Sequence, residues 1–453
     1  MIFNSLEFLL FACLFFLLWP WLGKRNNSRW GFITAASFFF YGWWDWRFLF
    51  LILASGLVDY FAGAYMVRRP ERRTLTLVIS LIANLGSLAI FKYSAFFATV
   101  LEDGFRLLHL EVDLVSRIPE FALILPVGIS FYTFQSLSYT IDIYRGRLQP
   151  TRNILHFFSY LSMFPQLVAG PIVRATHLMN QLTRYRKPST AERWGAIKLI
   201  CYGLFQKTVI ADNLAYLIDS AFEGKADYDV TLFWWVVAIA FGFQIYCDFS
   251  GYSLIARGLA KYMGYHFRMN FNHPYLSRSL REFWTRWHIS LSSWFRDYVY
   301  IPLGGSRRGL WRSIVALATT MLLSGLWHGA NYTFLAWAGI HIVFLSLERL
   351  TKWNKRLRLP RMAFMLIIFL QVTFAWVYFR ATDIEQANGI LYKMLRFQPS
   401  DPDFFRYYAN NISVLIGALM IEYMIYLRKT RPVVARLQRQ YPVDVALVAI
   451  SIG

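Results

Sequence analysis

The sequence predicts an all-α polytopic membrane protein, and three observations support that fold class. The chain is 57% hydrophobic and only 16% charged, whereas a soluble domain carries about 25% charged residues. Apolar runs recur along its 453 residues, many of them near the roughly 20 residues that a helix needs to cross a bilayer. Basic residues gather between those runs, and the aromatic residues, 19% of the chain, suit interfacial belts.

In the N-terminal half, the first apolar run lacks the basic flank and cleavage site of a signal peptide. It therefore predicts a retained transmembrane helix. A later apolar piece, residues 154–173, is broken by Pro165, Gly170 and Pro171 and has basic residues on both sides. We interpret it as a re-entrant hairpin, since non-helical backbone at membrane depth is tolerated inside protein. The spans predicted in this half are residues 6–22, 30–44, 48–67, 75–91 and 121–143.

The C-terminal half continues the pattern. Its predicted spans are residues 194–218, 231–249, 313–330, 333–347, 362–379 and 414–427. We therefore expect about eleven transmembrane helices with re-entrant and interfacial pieces. An apolar run that begins near Val443 is too short for a full span. The sequence contains no soluble domain, low-complexity linker or short-period repeat, so residues 1–453 are interpreted as one membrane-embedded domain.

The charge pattern predicts orientation. Basic stretches, such as Arg25 with Arg29 and Arg68 with Arg69, alternate with acidic stretches. The positive-inside rule then predicts an N-terminus outside and residues 257–312 in the cytoplasm or at the cytoplasmic interface. The net charge of +21 is thus explained by topology and by attraction to anionic lipids. Nucleic-acid binding is excluded because no basic, aromatic-interleaved soluble module is present.

One histidine, His328, lies in a strongly apolar segment between two glycines, in the run SGLWHGAN at residues 324–331. An ionisable group at membrane depth is costly and is by default a functional-site hypothesis. Gly325 and Gly329 allow close backbone approach or a bend, and Asn331 adds amide donors and an acceptor. The alternative is a core histidine that is hydrogen-bonded to a neighbouring helix.

A second histidine, His288, lies in residues 281–298, whose apolar residues recur with helical spacing. That spacing predicts one amphipathic helix with His288 at the border of its apolar face. The alternative is an interfacial helix whose histidine extends to the headgroups. The glycine-rich turn that follows carries Arg307 and Arg308, which could hold phosphates or could simply set topology.

The sequence contains no motif that predicts a metal site, a disulfide framework or a serine nucleophile. The three cysteines are widely separated, and neither CxxC nor HExxH spacing occurs. No GxSxG, Walker A or Rossmann fingerprint occurs. We therefore expect no metal and no tightly bound cofactor.

Six segments in order resemble the membrane-bound O-acyltransferase (MBOAT) family, and within it the bacterial alginate O-acetyltransferase-like branch. They are PVGISFYTFQ at residues 126–135, FPQLVAGPI at 164–172, YCDFSGY at 246–252, RWHISLS at 286–292, FRDY at 295–298 and SGLWHGA at 324–330. With His341 they mark residues 126–341 as the motif-bearing region. The resemblance implies a ring of transmembrane helices around a thin centre with a tunnel through it.

The resemblance further implies that His328 is catalytic and that His288 is the second family histidine. We expect His288 to orient an intermediate or to stabilise developing negative charge. We expect substrate binding by Trp327, Asn331, Asp297, Arg296 and Asp248, with Arg296, Arg307 and Arg308 meeting donor phosphates. The resemblance also implies a bacterial inner membrane as the location, with acetyl-CoA as the donor at its cytoplasmic side. The product acetyl group would reach an extracytoplasmic polysaccharide, alginate-like or of the cell wall, through a partner acetyltransferase. The alternatives are transfer of D-alanyl or another acyl group, and a glycan or lipid transporter without chemistry.

Overall fold

A computed structural model describes residues 1–22, 25–168, 170–226, 228–399 and 403–430. The apolar run near Val443 lies outside these residues. The described residues form helices and no strand, which confirms the all-α class. The α-helices are α1 Leu6–Leu22, α2 Asn26–Asp45, α3 Leu49–Arg68, α4 Arg73–Leu88, α5 Ser94–Leu107, α6 Glu120–Leu123, α7 Ile129–Tyr144, α8 Ile154–Leu161, α9 Phe164–Leu167, α10 Ala175–Thr183, α11 Thr190–Leu204, α12 Asp212–Phe222, α13 Thr231–Met263, α14 Leu280–Arg286, α15 Ile289–Phe295, α16 Leu310–His328, α17 Tyr332–Thr351, α18 Trp353–Arg356, α19 Arg361–Arg380, α20 Ile384–Leu395, α21 Asp403–Tyr407 and α22 Ala409–Thr430.

Shorter helical turns connect several of these elements. Four are 3₁₀ turns, at Trp46–Phe48, Pro70–Arg72, Val115–Arg117 and Pro274–Leu276, and three are π turns, at Ala89–Tyr93, Phe205–Ala211 and Arg296–Tyr300. The broken backbone expected over residues 154–173 is confirmed, because only the short helices α8 and α9 form there. The depth of that piece in a membrane stays a prediction, as does the tunnel.

Seven helical stretches in the described part of the chain are long and apolar enough to cross a membrane, fewer than the expected count of spans. One reason is that α2, α3 and the turn between them count as one continuous helical stretch of 43 residues, where two spans were expected. Another is that α1 has only 17 residues. A third is that α7 begins at Ile129, so the span predicted over residues 121–143 is wrong. The turn before α7 requires a glycine at position 128. Gly128 has a φ of +75°, and a Cβ added there would lie 2.6 Å from the Leu167 carbonyl oxygen.

Two compact units make up the fold. The first comprises Met1–Ile200 and Ile255–Arg268. Its aromatic core packs Phe8, Phe11 and Phe40 around Phe164, with ring centroids 5.2–6.5 Å from that of Phe164. Such pairs add about 0.5–1.5 kcal/mol each beyond the area that they bury.

Arg29 was predicted in a basic loop, and that prediction is wrong. The residue is only 1% exposed and lies in the first turns of α2. Its guanidinium donates to the Leu182 carbonyl oxygen at 2.8 Å and stacks 4.5 Å from the Tyr185 ring centroid. These partners, distant in the sequence, keep a buried charge hydrogen-bonded, as a buried charge requires.

The second unit comprises Cys201–Leu254 and the described residues from Met269 onward. Its core is a single apolar cluster in which Trp337 of α17 and Trp376 of α19 stack, with ring centroids 6.2 Å apart. Helix α17 packs against both α16 and α19. Both histidines that the sequence singled out belong to this unit.

Candidate active site

His328 is the last residue of α16, and aromatic rings surround it. Its ring centroid lies 4.9 Å from that of Trp327, 5.3 Å from that of Trp337 and 5.0 Å from that of Phe379. The last two come from α17 and α19. The imidazole is half-buried, so it remains within reach of a substrate while its apolar walls restrict water.

The glycines that flank His328 allow two helices to approach closely, as the sequence predicted. A Cβ on Gly325 would lie 2.6 Å from the backbone oxygen of Phe334 in α17. A Cβ on Gly329 would lie 2.0 Å from a ring carbon of the same phenylalanine. Real Cβ atoms do not approach so closely, so both glycines are needed to hold His328 against α17.

The single amphipathic helix predicted over residues 281–298 is wrong, because the helix breaks at His288. This residue adopts a left-handed conformation (φ 40°, ψ 56°) between α14 and α15, which is uncommon for a non-glycine residue. The amide of Ile289 donates to the backbone oxygen of Asn270 at 2.8 Å instead of to its own helix. Such strain is kept where the surroundings overdetermine it, often at functional sites.

Asn270 determines which nitrogen of His288 carries the proton. Its Oδ1 accepts from the amide of Ser290 at 3.1 Å, and its Nδ2 donates to Ser253 Oγ at 3.0 Å. Because an amide N–H can only donate, Oδ1 must face His288, whose Nδ1 lies 3.2 Å away. Nδ1 therefore carries the proton, and Nε2 presents a lone pair. Nε2 is buried and has no hydrogen-bond partner among the described residues.

The surroundings keep His288 neutral. The residue is 1% exposed, and its ring meets Phe249 edge-on with centroids 4.6 Å apart and Phe271 in a stack with centroids 6.1 Å apart. Burial lowers the pKa of His288 well below its usual range, and the nearby His328 lowers it further. The Trp327 ring contacts both imidazoles, with its centroid 5.9 Å from that of His288. Two histidines and one tryptophan thus form one cluster.

Comparison with known proteins decides the family. The family model described as MBOAT, membrane-bound O-acyltransferase, matches residues 147–385, which include both histidines. The chain is 36% identical to the probable alginate O-acetylase AlgI of Pseudomonas aeruginosa over 94% of its length and 80% of that protein. This chain belongs to the membrane-bound O-acyltransferase family.

More distant members span other named activities. The chain is 34% identical to the peptidoglycan O-acetyltransferase of Helicobacter pylori, over 80% of this chain and 73% of that protein. It is 27% identical to the teichoic acid D-alanyltransferase of Bacillus subtilis, over 58% of this chain and 69% of that protein. The protein is therefore an O-acyltransferase of the membrane, and family membership argues against the alternative of a transporter without chemistry.

The other residues predicted to bind substrate of this acyltransferase have structural partners. Asn331 caps α17 by accepting from the Thr333 amide at 3.1 Å, and it donates to the Thr382 backbone oxygen at 2.9 Å. Three more form ion pairs: Arg296 pairs with Asp297 at 2.7 Å, and Asp248 pairs with Lys207 at 2.6 Å. Their roles in substrate binding stay predictions.

The sequence did not reveal Asn270 and Ser253 as parts of this site. The only signal was the polar run Asn270-Phe271-Asn272-His273 in a basic segment, which does not name a partner. The described residues contain no group of three or more His, Cys, Asp or Glu that could hold a metal ion.

Proposed function

We propose that this acyltransferase passes an acetyl group from acetyl-CoA, at the cytoplasmic side, toward O-acetylation of an extracytoplasmic polysaccharide. The observation that carries the proposal is the cluster of His288, Trp327 and His328. The relatives named as acetylating alginate and peptidoglycan are 34–36% identical, against 27% for the D-alanyltransferase. We therefore favour acetyl as the transferred group and an envelope glycan as its final acceptor.

In the proposed reaction His328 is the general base. It accepts the proton of an acceptor hydroxyl while the hydroxyl oxygen attacks the thioester carbonyl carbon. The C–S bond then breaks, and the imidazolium returns the proton to the leaving thiolate. No net proton is produced. A positioned base of this kind contributes about 10²–10⁴-fold.

His288 would orient the acceptor. A neutral imidazole whose Nδ1–H is committed to Asn270 offers only a lone pair at Nε2. It can accept a hydrogen bond from a hydroxyl, and it cannot donate one to a developing oxyanion. The geometry therefore favours an orienting role over the stabilisation of negative charge, with the acceptor hydroxyl in place of the intermediate expected from the sequence.

The sidedness follows from charge. The basic stretches after α13 and α17 would face the cytoplasm, where acetyl-CoA is made, with the N-terminus outside. Arg307 and Arg308 would then lie on the donor side. An extracytoplasmic acetyltransferase partner would receive the acetyl group and pass it to the polysaccharide.

The test is release of CoA from acetyl-CoA by detergent-purified protein, compared between the wild type and His328→Ala, with candidate glycans and the partner enzyme. We expect turnover in the wild type and its loss in the variant, with both proteins equally folded. Equal turnover in the two would overturn the role of His328. Faster turnover of a D-alanyl thioester would show that the transferred group is D-alanyl and not acetyl.

A further inference from the structure

His341 is a buried histidine that the proposed reaction does not use. It lies in α17 and is 1% exposed. Neither of its ring nitrogens has a hydrogen-bond partner among the described residues. Burying a polar group without a partner is costly, so this imidazole is expected to have a partner in the working protein.

Two tryptophans that pack against His341 also have a buried polar atom without a hydrogen-bond partner among the described residues. The Nε1 atoms of Trp284 and Trp337 are also buried, and they find no hydrogen-bond partner in the described ranges. Their ring centroids lie 5.1 and 4.9 Å from that of His341. Trp337 in turn lies against His328, with centroids 5.3 Å apart. A row of unsatisfied polar atoms therefore leads away from His328 along α17.

A polar cavity lies near the far end of the same helix. Its volume is about 390 Å³, and it is lined by Arg278, Ser279, Glu282, Asn354, Leu359, Arg361 and Phe364. The helix that carries Trp284, α14, also carries Glu282. Glu348 near the end of α17 accepts from the amide at the start of α14 at 2.6 Å. Helix α14 thus contributes to both features, and Glu348 links its start to α17.

The charges at the cavity suit an anion. Arg278 and Arg361 outnumber the single carboxylate of Glu282, which pairs closely with Arg286 at 2.7 Å and more loosely with Arg278 at 3.8 Å. More cations lie in the last turn of α17 and just after it, namely Arg349, Lys352, Lys355, Arg356 and Arg358. Arginine forks match phosphate oxygens.

The unpartnered nitrogens of His341, Trp284 and Trp337 could form hydrogen bonds with a ligand that contains amide groups. Two indole N–H groups can donate to amide carbonyls, and a neutral imidazole can donate from one nitrogen and accept an amide N–H at the other. A file of water could also satisfy them. The proposed reaction, however, moves its proton from hydroxyl to thiolate and releases none, so it needs no proton path.

We propose that Trp284 and His341 bind the amide-bearing arm of the thioester donor, and that Arg278 and Arg361 bind its phosphates. This inference rests on the proposed function. From Trp337 to the end of α17 at Thr351 is about 21 Å at 1.5 Å per residue. A pantetheine arm with its phosphates is an extended chain of that order.

Direct binding tests the inference independently of turnover. The probes are CoA and pantetheine, which lacks phosphates, titrated calorimetrically into detergent-purified protein. Arg361→Gln should weaken CoA binding about tenfold and leave pantetheine binding unchanged. His341→Phe should weaken the binding of both about tenfold, which is the loss of roughly one good hydrogen bond. Arg312→Gln, at an exposed arginine outside the cavity, is the matched control and should change neither.

A purely structural His341 predicts the opposite result. His341→Phe would then raise the melting temperature, because it removes unsatisfied polar atoms, and CoA would bind as before. That result, or wild-type protein that binds neither probe, overturns the inference. If Arg361→Gln releases co-purified anionic lipid but keeps its affinity for CoA, the cavity holds a lipid phosphate and the inference also fails. Intact CoA binding without turnover would instead count against the proposed function.

Discussion

The Oδ1 atom of Asn270 lies 3.2 Å from Nδ1 of His288, across 18 residues of sequence. The Ser290 amide fixes the orientation of that side chain, and the side chain in turn fixes the tautomer of the imidazole. The lone pair on Nε2 is what an acceptor hydroxyl would meet. In the proposed reaction, Asn270 would thus act as a positioning residue for His288.

Substitutions of Asn270 should alter the pH profile as well as the rate. Asn270→Asp places a carboxylate beside Nδ1, favours the imidazolium and so raises the pKa of His288. We expect the acidic limb of kcat/KM against pH to move to higher pH. Asn270→Ala should lower kcat/KM about ten- to a hundredfold without moving the limb in that direction. An unmoved limb in Asn270→Asp with a normal melting temperature would contradict the positioning role.

The buried His288 should also make stability depend on pH. Burial and His328 lower its pKa in the folded protein, while the unfolded chain keeps a value of about 6.5. Below that pH the unfolded state binds a proton that the folded state does not bind. The free energy of unfolding therefore falls as the pH falls. The slope is at most about 1.4 kcal/mol per pH unit. Denaturation between pH 5 and 8 should show a shallower decline in His288→Gln than in the wild type, and equal slopes would refute the prediction.

Local signals were enough to find the two histidines. His328 stands out because it interrupts an apolar run between glycines, and the close packing of Gly325 and Gly329 follows from the same short segment. The break at His288 could not be found in this way. Trp284, Trp287, Leu291 and Trp294 keep helical spacing across it, while its cause is pairing with a distant backbone.

Contacts between distant segments explain the other differences. Arg29 has the sequence neighbourhood of a topogenic loop, but the carbonyl of Leu182 and the ring of Tyr185, both distant in the sequence, hold it inside. Asp59, expected in an apolar span, is fully buried, where it accepts hydrogen bonds from Ser80 and Asn84. Periodicity predicts which segments are helices, whereas the partners of a buried polar group depend on how those helices pack.

The glycines beside His328 should be intolerant of a single methyl group. Gly325→Ala forces a Cβ against the backbone of Phe334, and such overpacking costs about 1–3 kcal/mol. Gly339→Ala on α17 is the control, because no neighbour lies within 4 Å of its Cβ position. It should be neutral or slightly stabilising, since alanine favours helix. Melting temperatures of the three proteins decide the matter, and equal losses in both variants would argue against helix packing as the cause.

The two histidines should act as one unit. If His288 holds the hydroxyl from which His328 removes the proton, neither is useful without the other, and their losses will not add. We expect His328→Ala to remove about 10²–10⁴-fold in turnover and His288→Gln to remove a smaller factor. The double variant should be no slower than His328→Ala alone. Turnover of acetyl-CoA by the four purified proteins gives the coupling directly, and strictly multiplicative losses would mean that the two imidazoles serve separate steps.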